Sequence, residues 1–188
     1  MSKKVFLKGT LILACTGLVS RIAGFFYRIF LSHAIGAEGL GLYQLILPLQ
    51  GLMAALSYTG IQSALSRLIA SRLALQEKKE AYFSLVTGIF AAVLFSAVTG
   101  FLLFRHADFF ASTILKAPGT SDLLRLTAAS IPLCAIHSCI DSYYYARKKA
   151  SVPAAVQLSE QAVRIGATYI LYPVSYTHLR AHETRGNL

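Results

Sequence analysis

Two long stretches of the chain carry no charged side chain at all, Gly39 to Ser66 and Ala81 to Phe104. Each exceeds the roughly 20 apolar residues that carry a helix across the hydrocarbon core of a bilayer. Reading apolar runs from one charged boundary to the next predicts five helical spans, at about 8–35, 39–69, 81–104, 122–146 and 153–172. The punctuation between them agrees. Gly36, Gly39 and Gly41 mark a short turn, and Ala117-Pro-Gly-Thr-Ser-Asp122 reads as a loop leading into a capped helix start. Ser151 followed by Pro153 marks the start of the last span. Pro48 and Pro132 fall inside spans two and four, where each is expected to bend or locally unwind its helix. The expectation is an all-α, polytopic transmembrane helix bundle.

Composition sharpens the class. Of 188 residues, 55% are hydrophobic and only 14% charged, against about 25% in soluble domains, so a soluble enzyme is excluded. A formal charge of +10 would ordinarily suggest nucleic acid. Here the basic residues sit between apolar runs, so no nucleic-acid partner is expected and the bilayer takes that place. With the N-terminus inside, ten Lys and Arg fall on the cytoplasmic side, Lys3, Lys4, Lys8, Arg67, Arg72, Lys78, Lys79, Arg147, Lys148 and Lys149. Five fall outside, Arg105, Lys116, Arg125, Arg180 and Arg185. That asymmetry is the positive-inside pattern, and the opposite orientation would violate it. Lys3, Lys4 and Lys8 imitate a signal peptide's basic start, but the apolar segment runs on through Arg21 and Arg28 to Ala37 without a cleavage site, so it reads as a retained helix.

The chemistry lies in the charges within spans. A charged side chain near the bilayer centre costs about 2.5–3.5 kcal/mol on insertion scales. Arg21 and Arg28 are seven residues apart, about 20° short of two full helical turns, so they share a stripe with Gly17 and Gly24. From Lys8 at the inner surface, Arg21 lies about 20 Å deep and Arg28 about 30 Å. Arg28 can snorkel to the outer surface. Arg21 needs a wet cavity or an ion pair, and a guanidinium beside glycines suits a phosphate or pyrophosphate held bidentately. In span five, Glu160 and Arg164 stand at i, i+4 with Gln161 beside them. They read as a neutralising pair or as a cavity wall facing Arg21. Asp141 reads as an inner-surface residue, and His137 as a packing histidine with no near partner. Gln44, Gln50 and Gln62 are expected to hold helices together or line a cavity. Tyr143, Tyr144 and Tyr145 before Arg147 form an aromatic anchor. The three cysteines, Cys15, Cys134 and Cys139, lie in apolar segments and fit neither a disulfide framework nor a zinc site. No metal or cofactor motif is present, and no enzyme motif, which predicts a protein that is not an enzyme.

Phe6-Leu-Lys-Gly-Thr10, Gly17-Leu-Val-Ser-Arg-Ile-Ala-Gly-Phe25 and Tyr27-Arg28 resemble the stage V sporulation protein B family. Gly36-Ala-Glu-Gly-Leu-Gly-Leu-Tyr-Gln44 with Pro48, and Pro153-Ala-Ala with Gln157 and Glu160-Gln-Ala-Val-Arg164, extend the resemblance over about residues 5–173. This family belongs to the polysaccharide-transport branch of the multidrug/oligosaccharidyl-lipid/polysaccharide flippase superfamily. The resemblance implies a two-lobe fold of twelve to fourteen helices, of which residues 1–173 are an incomplete first lobe. It also implies transport of undecaprenyl-pyrophosphate-linked saccharides across the bacterial cell membrane, with the rest of the chain as a missing partner. Arg21 matches the first-helix cavity arginine of lipid II flippases, and Arg28 falls one residue later than the second. Leu49 to Leu56 lack the basic residue such flippases place after the helix-two proline, which favours the broader class, a polyprenyl-pyrophosphate-linked glycan. The rivals are a multidrug/cation antiporter of the same superfamily and a non-transporting scaffold for cell-wall enzymes. Residues 174–188 turn polar and resemble a translated sequencing adapter, so they are expected to be non-native, with no role for His178, His182 or Glu183.

Overall fold

The structure is a computed structural model that describes residues 3–185, with side-chain surroundings for residue 7 and residues 9–170. Its helices are α1 (Lys3–Ala54), α2 (Gly60–Ala74), α3 (Lys78–Arg105), α4 (Ala107–Phe109), α5 (Ser121–Ala146) and α6 (Ser151–Arg185). Two π-helical segments, Ala55–Thr59 and Phe110–Ile114, and one 3-10 turn, Pro118–Thr120, complete the described chain. The expected all-α bundle is observed. Among the described residues, three stretches are long and apolar enough to cross a membrane, Gly9–Ala74, Lys78–Arg105 and Pro118–Ala146. The first has 66 residues, about 99 Å as helix and so enough for two crossings. The chain is a multi-pass membrane protein. The predicted fifth span is helical within α6, but Gln157, Glu160, Gln161 and Arg164 dilute its apolarity and it is not among those three.

Several boundaries differ from the sequence reading. The expected turn over Gly36–Gly41 shrinks to one residue, because Gly36 alone takes non-helical angles (φ 73, ψ 173) and glycine reaches positive φ without a Cβ clash. The capped start at Asp122 is absent in that form. The Thr120 hydroxyl donates back to the Ala117 carbonyl (2.8 Å), and a 3-10 turn closes the entrance to α5. The expected outer loop is instead helical through α4 and the second π segment, with Ala107 and Ala111 fully buried. Helix α6 runs to Arg185 rather than ending near Tyr172, since residues 174–185 contain neither glycine nor proline. The side chains of that tail, His178, His182 and Glu183 among them, lie outside the described residues.

The chain divides into two compact units, residues 1–37 with 150–188 and residues 38–149. In the second unit, α3 runs antiparallel to both α2 and α5. The Cys139 thiol sits 3.8 Å from the Gly88 carbonyl, and Gly100 lies against Ala128. Ser142 Oγ donates to the Gln62 carbonyl at 3.1 Å, tying α5 to α2. Two core clusters form here, one around Leu103, Leu124 and Ile131, the other around Leu65, Ile69 and Cys139. Alanines fill most of the remaining buried positions, and such small residues let membrane helices approach closely. Pro132 does not interrupt α5. Its missing N–H leaves the Ala128 carbonyl without a helical donor. Likewise α1 continues through Pro48, and the backbone loosens only at the π segment beyond it. There Ser57 Oγ bonds the Met53 carbonyl (2.6 Å) and Thr99 Oγ1 (2.5 Å).

Candidate functional site

The first unit pairs the N-terminal part of α1 with α6. Tyr27 Oη lies 3.3 Å from Thr168 Oγ1, and the rings of Phe30 and Tyr169 are 5.7 Å apart. A Cβ built at Gly9 would meet Ala150 Cβ at 4.0 Å. These contacts share a numbering offset of about 140, so the two helices run parallel and in register. The same offset sets Ser20 level with Gln161, and Arg21 between Glu160 and Arg164. Charged residues 139–143 positions apart are thus brought to one height.

Rotation decides which side they occupy. On α1 the buried face holds Thr16, Ser20 and Leu31, and on α6 the facing positions include Ala154, Gln161 and Thr168. At about 100° per residue, Arg21 and Arg28 lie roughly 100–120° from the α1 contact face, and Arg164 and Glu160 about 60–100° from the α6 face. Because the helices are parallel and right-handed, those rotations lead to the same flank of the pair. Arg21, Arg28, Glu160 and Arg164 are all exposed there, and Gln161 is half-buried in the seam. The register therefore sets Arg21, Glu160, Gln161 and Arg164 at about one height of the α1–α6 pair. Arg28 stays apart, about 10 Å along the axis from Arg21 and level with Tyr169.

Gly17 and Gly24 lie between the seam and the arginine stripe. A Cβ added at either meets nothing within 4 Å. Behind them, Ser20 Oγ and Gln161 Oε1 are both buried without a hydrogen-bond partner. Sequence reading passed over Ser20, and its signal was its place between the two glycines. The Arg21 and Arg164 guanidinium groups of this flank carry chemistry suited to an oxyanion.

The sequence reading gave His137 no near partner, and this is corrected. His137 Nε2 stands 3.9 Å from Asp141 Oδ2, one helical turn away on α5. The i, i+4 spacing was legible in the sequence. Tyr143 accepts a hydrogen bond from Arg147 Nη1 (3.1 Å), and the guanidinium lies 5.3 Å from its ring centre, as an aromatic-basic anchor requires. None of the three cysteines forms a disulfide. Outside the candidate site, Arg125 bridges Asp108 (2.8 Å) and Asp122 (2.9 Å), and Arg72 pairs with Glu77 (2.8 Å).

A family described as Polysaccharide biosynthesis protein matches residues 6–177. The chain belongs to that family. It is 33% identical over 165 residues to Stage V sporulation protein B of Bacillus subtilis (strain 168), covering 88% of this chain and 32% of that protein. It is 24% identical over 186 residues to Lipid II flippase MurJ of the same organism, covering 93% of this chain and 34% of the relative. The chain thus spans about a third of the length of these relatives. No solved structure gives a significant match. The matched region contains most of both helices of the arginine-bearing pair.

Proposed function

We propose that this chain is the N-terminal part of a flippase for polyprenyl-pyrophosphate-linked saccharides in the bacterial cytoplasmic membrane. The observation that carries the reading is the register of α1 against α6, which gathers Arg21, Glu160, Gln161 and Arg164 on one flank. Arg21 grips the pyrophosphate, Arg164 and Gln161 add donors, and Glu160 balances charge when the site is empty. Arg28 assists from about two turns away. The relative named as a lipid II flippase supports the class, and the substrate proposed here is the broader one, a lipid-linked glycan.

Transport proceeds by alternating access, with two helical lobes rocking about a central site near the bilayer midplane. Residues 1–173 supply five helices of the first lobe, so the 188-residue chain by itself is not expected to transport. Their crossings alternate, and three crossings between span one and span five leave those two spans parallel. The parallel packing of α1 and α6 supports that count. The protein binds and moves its substrate without breaking a bond, so it is not an enzyme.

Reconstitution tests the reading. The complete protein in liposomes should carry a fluorescent undecaprenyl-pyrophosphate-linked saccharide between leaflets, and the 188-residue chain should not. Failure of the complete protein to move it, with a lipid cation transported instead, would establish the antiporter reading. Orientation is tested by cysteine substitution. Position 116 should react with an impermeant reagent from outside the cell, and positions 78 and 149 only after permeabilisation; the reverse pattern overturns the cytoplasmic N-terminus.

A further inference from the structure

The α2–α3 turn and the turn after α5 lie at one end of the unit of residues 38–149. Ile69, Ala81 and Ala146 are buried in one cluster there, with Leu73 and Tyr143 packed against it. Residues 72–80 and 147–149 bring Arg72, Lys78, Lys79, Arg147, Lys148 and Lys149 to that end, against only Glu77 and Glu80. The proposed orientation places this end in the cytoplasm. A surplus of cations is what membrane topology asks of any such end, so charge alone marks no site.

A groove of about 570 Å³ runs from this end between α2 and α3, and its polarity is graded. Arg72 and Glu80 stand at the mouth, and Ser84 and Thr87 follow. The deep part is lined by Ile61, Ala64, Leu65, Gly88 and Ala91. A Cβ at Gly88 would stand 2.7 Å from Leu65 Cδ1, so the groove has a closed floor and does not separate the helices. Leu68 and Phe83 on its edges are exposed, and it opens sideways towards lipid. From Arg72 to Ile61 it follows α2 for about 16 Å, close to half of the roughly 30 Å hydrocarbon core. One leaflet has that depth. Glu77 holds Arg72 at the mouth, Nη1 to Oε2 at 2.8 Å. A guanidinium carries five N–H donors, and this bond uses one.

We propose that the α2–α3 groove binds an anionic glycerophospholipid of the cytoplasmic leaflet. The lipid phosphate accepts from further N–H donors of Arg72, and Lys78 and Lys79 outweigh the Glu80 carboxylate beside it. The ester groups lie by Ser84 and Thr87, and one acyl chain runs over Leu65 and Gly88 to Ile61. Basic pockets between membrane helices suit anionic headgroups for this reason, a fixed positive charge at headgroup level above an apolar slot. The choice of leaflet rests on the proposed orientation; the groove and its charge do not depend on the flippase reading.

Native mass spectrometry of the 188-residue chain tests the site, with phosphatidylglycerol and phosphatidylethanolamine of equal chain length as probes. Wild type should retain phosphatidylglycerol about tenfold more tightly. Arg72→Ala should reduce that preference about fivefold, and Ala64→Phe, which fills the groove, should weaken retention of both lipids about fivefold. Arg125→Ala, at the opposite end of α5, should change neither. Ala64 is exposed and the Arg72–Glu77 pair is half-exposed, so both groove variants should keep the wild-type unfolding temperature. Equal retention of the two lipids by wild type, or a preference undiminished by Arg72→Ala, would overturn the site. Displacement of phosphatidylglycerol by undecaprenyl phosphate at equal concentration would give the groove to a polyprenyl lipid and overturn the phospholipid assignment. Loss of phosphatidylglycerol retention in the complete protein would show that the rest of the chain covers the groove, which also overturns it. None of these results bears on whether the complete protein moves a lipid-linked saccharide, which transfer in liposomes decides.

Discussion

In the unit of residues 38–149, a Cβ built at Gly100 would stand 2.9 Å from the Ala128 carbonyl oxygen. In the unit that pairs α1 with α6, Gly17, Gly24 and Gly166 have nothing within 4 Å. The same residue type serves two purposes. Beside Pro132, glycine lets α3 close on a carbonyl that has lost its helical donor. Beside Arg21, glycine keeps space open. Polar groups follow the same division: Ser57, Thr99 and Ser142 are satisfied between helices of the packed unit, while Ser20 and Gln161 stay open.

Stability measurements can break this contrast. The largest effect should come from Gly100→Ala, which forces a methyl against backbone and should cost about 2–3 kcal/mol in detergent unfolding. A neutral result would mean that α3 and α5 are not closely packed there. Ser57→Ala should cost about 1 kcal/mol, because it removes the Thr99 link while Thr99 keeps its bond to the Phe95 carbonyl (3.0 Å). Gly24→Ala should move stability the other way, a gain of about 0.5–1 kcal/mol from helix propensity alone. Destabilisation by that variant would show that Gly24 sits in a packed contact. Arg125→Ala should change least, below about 0.5 kcal/mol, since Asp108 and Asp122 are largely exposed and their ion pairs are screened.

The contrast also marks where sequence reading succeeds. The charge-free run from Ala81 to Phe104 places α3 to within a few residues, because lipid exposure demands continuous apolar surface, whereas α1 and α6 run well past their expected ends. The stripe of Arg21 and Arg28 with Gly17 and Gly24 was legible from helical period. Its alignment with Glu160 and Arg164 was not, because no local pattern encodes the register of two helices about 140 residues apart. The helical segment around Ala107 and Ala111 fell outside the expected spans, and its burial depends on partners in α1 and α5. The openness of Ser20 could not be read at all. The other buried serines, Ser57, Ser96 and Ser142, each return the hydroxyl to a carbonyl about one turn back, and Ser20 does not.

The central claim is that Arg21 holds the phosphate end of a transported lipid, and one measurement tests it directly. In liposomes containing the complete protein at matched abundance, Arg21→Ala should lower the rate of undecaprenyl-pyrophosphate-linked saccharide transfer at least about tenfold, with Arg21→Lys in between. Removing a guanidinium from the membrane interior relieves an insertion cost, so the protein should still insert and accumulate. Transfer by Arg21→Ala at the wild-type rate would contradict the account.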